Sequence, residues 1–154
     1  MPTSYAELRC DTIDQDHRRV LAQPRFLVKP DQTHLAGGEA PPTRPVDQPV
    51  PLLFGGPDLP YLLFDDYYAE PLPGDHQAAA ALTALSQTLA NAEQDALLAP
   101  GDVLFIDNYR AVHGRRPFTA RYDGTDRWLK RISVSRDLRR SRDARATAAA
   151  RVIG

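Results

Sequence analysis

The chain has a single cysteine, Cys10, among 154 residues, so no disulfide can form within it. One unpaired thiol fits a reducing compartment, and the expectation from sequence is a cytoplasmic protein. Long hydrophobic runs are missing too: nothing approaches the ~20 apolar residues that a membrane-spanning helix needs. The opening "MPTSYAELRC" lacks the basic and apolar regions of a signal peptide. Glycine is modest at 9 residues, whereas proline is abundant at 14, clustered between Pro41 and Pro60 with a further pair at Pro71 and Pro73. Much of the middle is therefore expected to be loop. With 42% hydrophobic and 25% charged residues the composition is that of a globular chain, long enough for one core and too short for two ordinary domains.

The formal net charge of −1 conceals an asymmetry. Residues 1–113 carry 7 of the 19 Lys+Arg and 16 of the 20 Asp+Glu, and residues 114–154 carry the other 12 and 4. A basic end of this kind can serve nucleic acid or a membrane surface. Here the arginines divide between a strand pattern and a tail without interleaved aromatics. That favours a strand receiving a small anion, followed by a solvated helix, over a nucleic-acid partner.

Local patterning gives the expected elements. "IDQDHRRVLAQ" (13–23) reads as a short helix ended by Pro24, "RFLVK" (25–29) as a strand, and the Pro/Gly-rich 30–49 as a long loop. "VPLLF" (50–54) and "YLLFDD" (61–66), separated by "GGPDLP", suggest a hairpin-like pair. The clearest helix is 75–98, where Ala78, Leu82, Leu85, Leu89, Ala92 and Ala96 form one apolar stripe and Asp75 is placed to cap the amino end. "DVLFID" (102–107) and "RWLKRISVS" (127–135) read as strands, the second with strict alternation. The tail 136–153 reads as a basic helix. The architecture is mostly β, an α+β class with one long helix packed on a sheet.

Chemistry concentrates after residue 100. His113, one of four histidines, follows the strand that ends at Asp107-Asn108, and Arg127 stands fourteen positions on, sharing a strand face with Leu129 and Arg131. Neutral imidazole is a common nitrogen ligand for iron and zinc. The guanidinium fork suits a carboxylate held by two parallel hydrogen bonds. A metal at one end and an Arg-held carboxylate at the other describes a bound 2-oxo acid, if both side chains look into one cavity. Asp107 and Asn108 are expected to make structural hydrogen bonds to the loop before His113.

The stretch "PGDVLFIDNYRAVHGRRPFTARYDGTDRWLKRISVSRDLRRSR" (100–142) resembles the C-terminal segment of Fe(II)/2-oxoglutarate-dependent oxygenases. It is most similar to the clavaminate synthase-like, taurine dioxygenase-related group that includes arginine and asparagine β-hydroxylases. The resemblance implies a double-stranded β-helix (jelly-roll) that hydroxylates a free or carrier-bound amino acid, with CO2 and succinate as further products. It implies Fe(II) as metal and 2-oxoglutarate as cosubstrate. Carried over residue by residue, His113 corresponds to the distal histidine of the iron-binding triad and Arg127 to the arginine holding the far carboxylate of 2-oxoglutarate. Arg131 would lie near cosubstrate or substrate, and Asp65 and Asp66 would face a cationic substrate. On this basis residues 1–135 are the C-terminal half of an oxygenase-like jelly-roll domain, and 136–154 a basic helical tail.

One family element does not occur. The triad's first histidine and acid are written H-x-D/E, but two positions after His17, His34, His76 and His113 stand Arg19, Ala36, Ala78 and Arg115. A single imidazole does not hold Fe(II) against water, because the facial triad needs all three ligands. The expectation is a partial jelly-roll whose missing ligands come from a second polypeptide or an upstream segment. A substitution by His34 with Asp107 or Asp65 stays open. So does a non-catalytic remnant that retains a 2-oxoglutarate or anion pocket.

Overall fold

The structure, a computed structural model, describes residues 3–7, 12–29, 47–115 and 119–124, with positions 126, 130–132, 134, 137 and 147 beyond them. The chain divides into two compact units, Met1–Lys29 with Val46–Thr119, and Pro30–Pro45 with Ala120–Gly154. In the first unit the elements run β1 (Thr3–Glu7), α1 (Gln15–Leu21), β2 (Phe26–Val28), β3 (Leu53–Gly55), β4 (Pro60–Leu62), β5 (Ala69–Pro71), α2 (His76–Asn91), β6 (Gln94–Ala96) and β7 (Ala111–Arg115).

The strands are short and all pairings are antiparallel. They form a three-stranded sheet in the order β6-β1-β7 and two two-stranded sheets, β2-β5 and β3-β4. A bridge between Phe26 and Val50 joins the neighbourhood of β2 to the segment before β3. The hairpin-like pair expected at 50–66 is thus present as β3-β4. Its connection requires Gly55, whose φ of +90° favours glycine and where a Cβ would come 3.2 Å from the Tyr61 ring.

Both helices start as their sequences dictate. Asp14 caps α1 by accepting from the amides of Asp16 and His17, and Asp75 caps α2 by accepting from the Ala78 amide at 3.0 Å. Helix α2 buries Ala78, Ala81, Leu85 and Leu89 and packs against α1 and β5. Together with Leu21, Phe26, Leu52, Leu53 and Leu62 these residues form one apolar core. The α1 terminus is tied to it where the Leu52 amide donates to the Leu21 carbonyl at 2.9 Å.

Several expectations need correction. The helix expected over 75–98 ends at Asn91, because Gln94–Ala96 leaves it to pair with β1 as β6. The strand expected at 102–107 is absent: these residues have no helical or strand pairing, and no backbone hydrogen bond joins residues 103–106 to any described residue. An apolar alternating run becomes a strand only when a neighbour supplies the ladder. Of the strand expected at 127–135, residues 130–132 and 134 are described and are not in a strand. The rest of that strand, the loop over 30–46 and nearly all of the tail at 136–153 lie outside the described residues. β1 and β7 carried no strand expectation of their own.

In the second unit the chain bends at Asp123-Gly124. The Asp126 Oδ2 accepts from the amides of Arg121 (2.9 Å) and Tyr122 (2.7 Å), and Tyr122 and Gly124 have φ of 58° and 80°.

Candidate functional site

His113 sits at the middle of β7, paired with Tyr5 of β1 in the register Thr3↔Arg115 to Glu7↔Ala111. Successive side chains of a strand point to opposite faces. Val112 packs against the core, so the neighbouring His113 points away from it, and its side chain is exposed. The approach to β7 is a tight turn. The Asp107 Oδ1 accepts from the Tyr109 amide at 3.0 Å, and its carbonyl accepts from Arg110 and Ala111. Asp107 therefore has the structural role expected of it.

The turn at 108–110 is fixed to β4. The Leu62 amide donates to the Tyr109 carbonyl at 2.7 Å. The Tyr109 ring meets those of Tyr61 and Phe54 at centroid distances of 5.4 and 6.2 Å. These are ordinary aromatic-pair separations. Rings from β3, β4 and the turn thus set where β7 begins, and with it the histidine.

Asp65 and Asp66 are exposed and occupy the turn between β4 and β5. The Asp65 Oδ1 accepts from the Tyr67 amide at 3.0 Å, while its carbonyl accepts from Tyr68 and Ala69. This is an Asx-type turn. The Asp66 Oδ1 accepts from the Ser86 hydroxyl of α2 at 2.8 Å. The acidic pair is held in place, with Asp66 tied to the long helix.

Arg127 lies outside the described residues, as does His34. Arg131 is exposed, in irregular backbone, and belongs to the second unit, whereas His113 belongs to the first. Among the described residues no group of three or more His, Cys, Asp or Glu is arranged to hold a metal ion. The alternative ligand set of His34 with Asp107 or Asp65 includes a residue outside the described ones.

Sequence reasoning missed one organising pair. Arg25, just before β2, meets the Asp75 cap with both carboxylate oxygens engaged, Nε to Oδ2 at 2.6 Å and Nη2 to Oδ1 at 2.5 Å. The side chains are only 23% and 16% exposed. Its guanidinium also donates to Gln77, and its carbonyl accepts from the Leu72 amide. Asp75 is held below the usual carboxylate range chiefly by hydrogen bonds from Arg25, then by the Ala78 amide, and Arg25 is raised in turn. The cap itself is visible in the sequence. A partner fifty positions away is not.

Comparisons with known proteins identify the family. Residues 22–133 match the model of the taurine catabolism dioxygenase TauD, TfdA family. The chain is 41% identical to an enduracididine β-hydroxylase of Streptomyces hygroscopicus, over 99% of the chain and 51% of that protein. It is 38% identical to an L-ornithine/L-arginine 3-hydroxylase of Catenulispora acidiphila, again over 99% of the chain and 51% of that protein. Among solved structures, the non-heme iron oxygenase OrfP in complex with Fe and alpha-ketoglutaric acid superposes with a TM-score of 0.86 at 42% identity, covering 99% of this chain and 46% of OrfP. The chain thus spans about half the length of the relatives it matches. Its fold is that of the TauD-like oxygenases. Among the described residues no helix is long and apolar enough to cross a membrane. The chain belongs to the TauD/TfdA family of dioxygenases.

Proposed function

We propose that this chain contributes half of the active site of an iron- and 2-oxoglutarate-dependent oxygenase that hydroxylates an amino acid with a cationic side chain. The observation that carries the reading is His113, held at a defined register on β7 with its side chain exposed, inside the segment matched to the family. In this reading His113 is one of three iron ligands, and the other two come from a polypeptide half, carried by a second chain or an upstream segment, that supplies the H-x-D/E motif. Among the described residues no donor set completes a site, and a single imidazole does not retain Fe(II), so no chemical step is assigned to the described residues alone.

The remaining roles concern binding and orientation. Arg127 pairs with the far carboxylate of 2-oxoglutarate, and Arg131 lies near the bound acids. Asp65 and Asp66 present negative charge toward the substrate's cationic group. Their fixed turn geometry suits that role, since a pre-positioned carboxylate loses little freedom on binding. The related hydroxylases act on enduracididine and on ornithine or arginine, which supports a cationic amino acid, free or carrier-bound. Residues 1–135 form the oxygenase-like part and 136–154 a basic tail, in a protein of the cytoplasm.

The test measures 2-oxoglutarate binding by calorimetry, and succinate formation with L-arginine or L-ornithine once the complementary half is supplied. Arg127→Ala is expected to weaken 2-oxoglutarate binding roughly 100-fold or more, because a carboxylate loses its bidentate partner. Unchanged affinity in that variant, or no arginine- or ornithine-dependent succinate in a complete assembly, overturns the reading.

A further inference from the structure

Two hydroxyls of α2 behave differently. Thr83 takes the usual course inside a helix, its Oγ1 donating to the Ala79 carbonyl one turn back at 3.0 Å. Ser86 instead reaches out of the helix, and its Oγ donates to Oδ1 of Asp66, twenty positions earlier in the chain, at 2.8 Å. Ser86 follows the buried Leu85 on a helix whose apolar face is fixed in the core, so the donor stands on a rigid element. The adjacent acids are held by different means. Asp65 uses Oδ1 for its own turn, accepting from the Tyr67 amide, and its carbonyl accepts from Tyr68 and Ala69. Asp66 receives nothing from that turn. The Ser86 hydroxyl is the one bond its carboxylate makes among the described residues, and Oδ2 stays open at an exposed position. An exposed aspartate ordinarily samples several rotamers, and a hydroxyl on a fixed helix selects one before any ligand arrives.

Resting on the proposed function, we infer that Ser86 is a positioning residue for substrate recognition: its hydroxyl fixes the Asp66 carboxylate that meets the cationic end of the amino acid, while Asp65 chiefly builds the turn that presents it. Ser86 acts through Asp66 and does not itself touch the substrate. Its effect therefore falls on binding, and on the preference for a charged side chain over a neutral one of the same shape. A carboxylate already in place when the substrate arrives gives up less freedom on pairing, which favours the charged ligand. The bond to Asp66 also offsets the weaker helix propensity of serine in the interior of α2, where alanine is the better helix former.

The experiment has two arms. In the chain alone, NMR couplings about the Asp66 χ1 bond should report one dominant rotamer, averaging in Ser86→Ala and recovery in Ser86→Thr, which keeps the hydroxyl. The thermal midpoint of Ser86→Ala should not fall, because alanine favours the helix, so any change in binding is not a loss of fold. In the complete assembly, Ser86→Ala should raise KM for L-arginine roughly 5–10-fold at nearly unchanged kcat. It should narrow the preference for L-arginine over the neutral L-citrulline by a similar factor, and Ser86→Thr should restore both. Added to Asp66→Ala, the same substitution should have no further effect, since the group it positions is gone. Three results overturn the inference and leave the oxygenase reading standing: unchanged Asp66 couplings in Ser86→Ala, an unchanged KM, or a KM effect that persists in the Asp66→Ala background. The functional reading fails separately. An assembly without arginine- or ornithine-dependent succinate removes that reading, and the substrate role of the Ser86–Asp66 pair with it.

Discussion

Phe26 and Phe105 occupy short apolar runs of nearly the same composition, Phe-Leu-Val and Val-Leu-Phe-Ile, yet the first is fully buried and the second is 88% exposed. The difference lies in neighbours. Around Phe26 the chain supplies β5 on one side, the Val50 bridge on the other, and the α2 face above. Around Phe105 the described residues supply two fixed ends and no paired strand between them. Local hydrophobicity asks for burial, and topology decides whether the request is met.

Four substitutions would sharpen or break this contrast. The largest effect is expected for Phe26→Ala, which should lower unfolding free energy by about 3–5 kcal/mol in urea titration, the usual cost of emptying a core aromatic site. A change below ~1 kcal/mol would show that the core tolerates collapse there. Next, Asp75→Asn should lower the thermal midpoint by several degrees at neutral pH by weakening both the helix cap and the pairing with Arg25. Because the Asp75 carboxyl titrates below its usual value when folded, its contribution is fully present above the unfolded carboxylate pKa of about 3.9. It is lost as pH falls through the lower folded value, so the gap between wild type and variant should close in acid. A gap that persists there would assign the loss to packing instead. Gly55→Ala should cost about 1–2 kcal/mol, since alanine at a φ of +90° is strained and meets the Tyr61 ring. Smallest of all, Phe105→Ser should change the stability of the chain alone by no more than ~0.5 kcal/mol. A large loss would mean that Phe105 is already covered in solution and would erase the contrast.

How much could be read from the sequence follows the same division. The start of α2 was legible because a cap and a 3.6-residue stripe act locally, and the β3-β4 pair because Gly-Gly-Pro separates two apolar runs. The end of α2 was not, since "QDA" becomes a strand only by lying beside β1. β1 itself, "TSYAE", carries no strong β signal and owes its state to two partners. Residues 102–107 erred in the opposite direction, with a strong signal and no strand partner among the described residues. His113 stands out in the sequence by its surrounding motif, and the structure places it on β7 and Asp65 and Asp66 in a fixed turn. The Arg25–Asp75 pair was invisible because its members meet only after β2, β5 and α2 are assembled.

The central position of β1 between β6 and β7 makes the first seven residues a mechanical dependency of the histidine strand. Thr3 stands opposite Arg115 and Tyr5 opposite His113, so the register of β1 sets the position of the imidazole along the sheet. A substitution that breaks the β1 ladder would therefore loosen the histidine strand without touching the histidine.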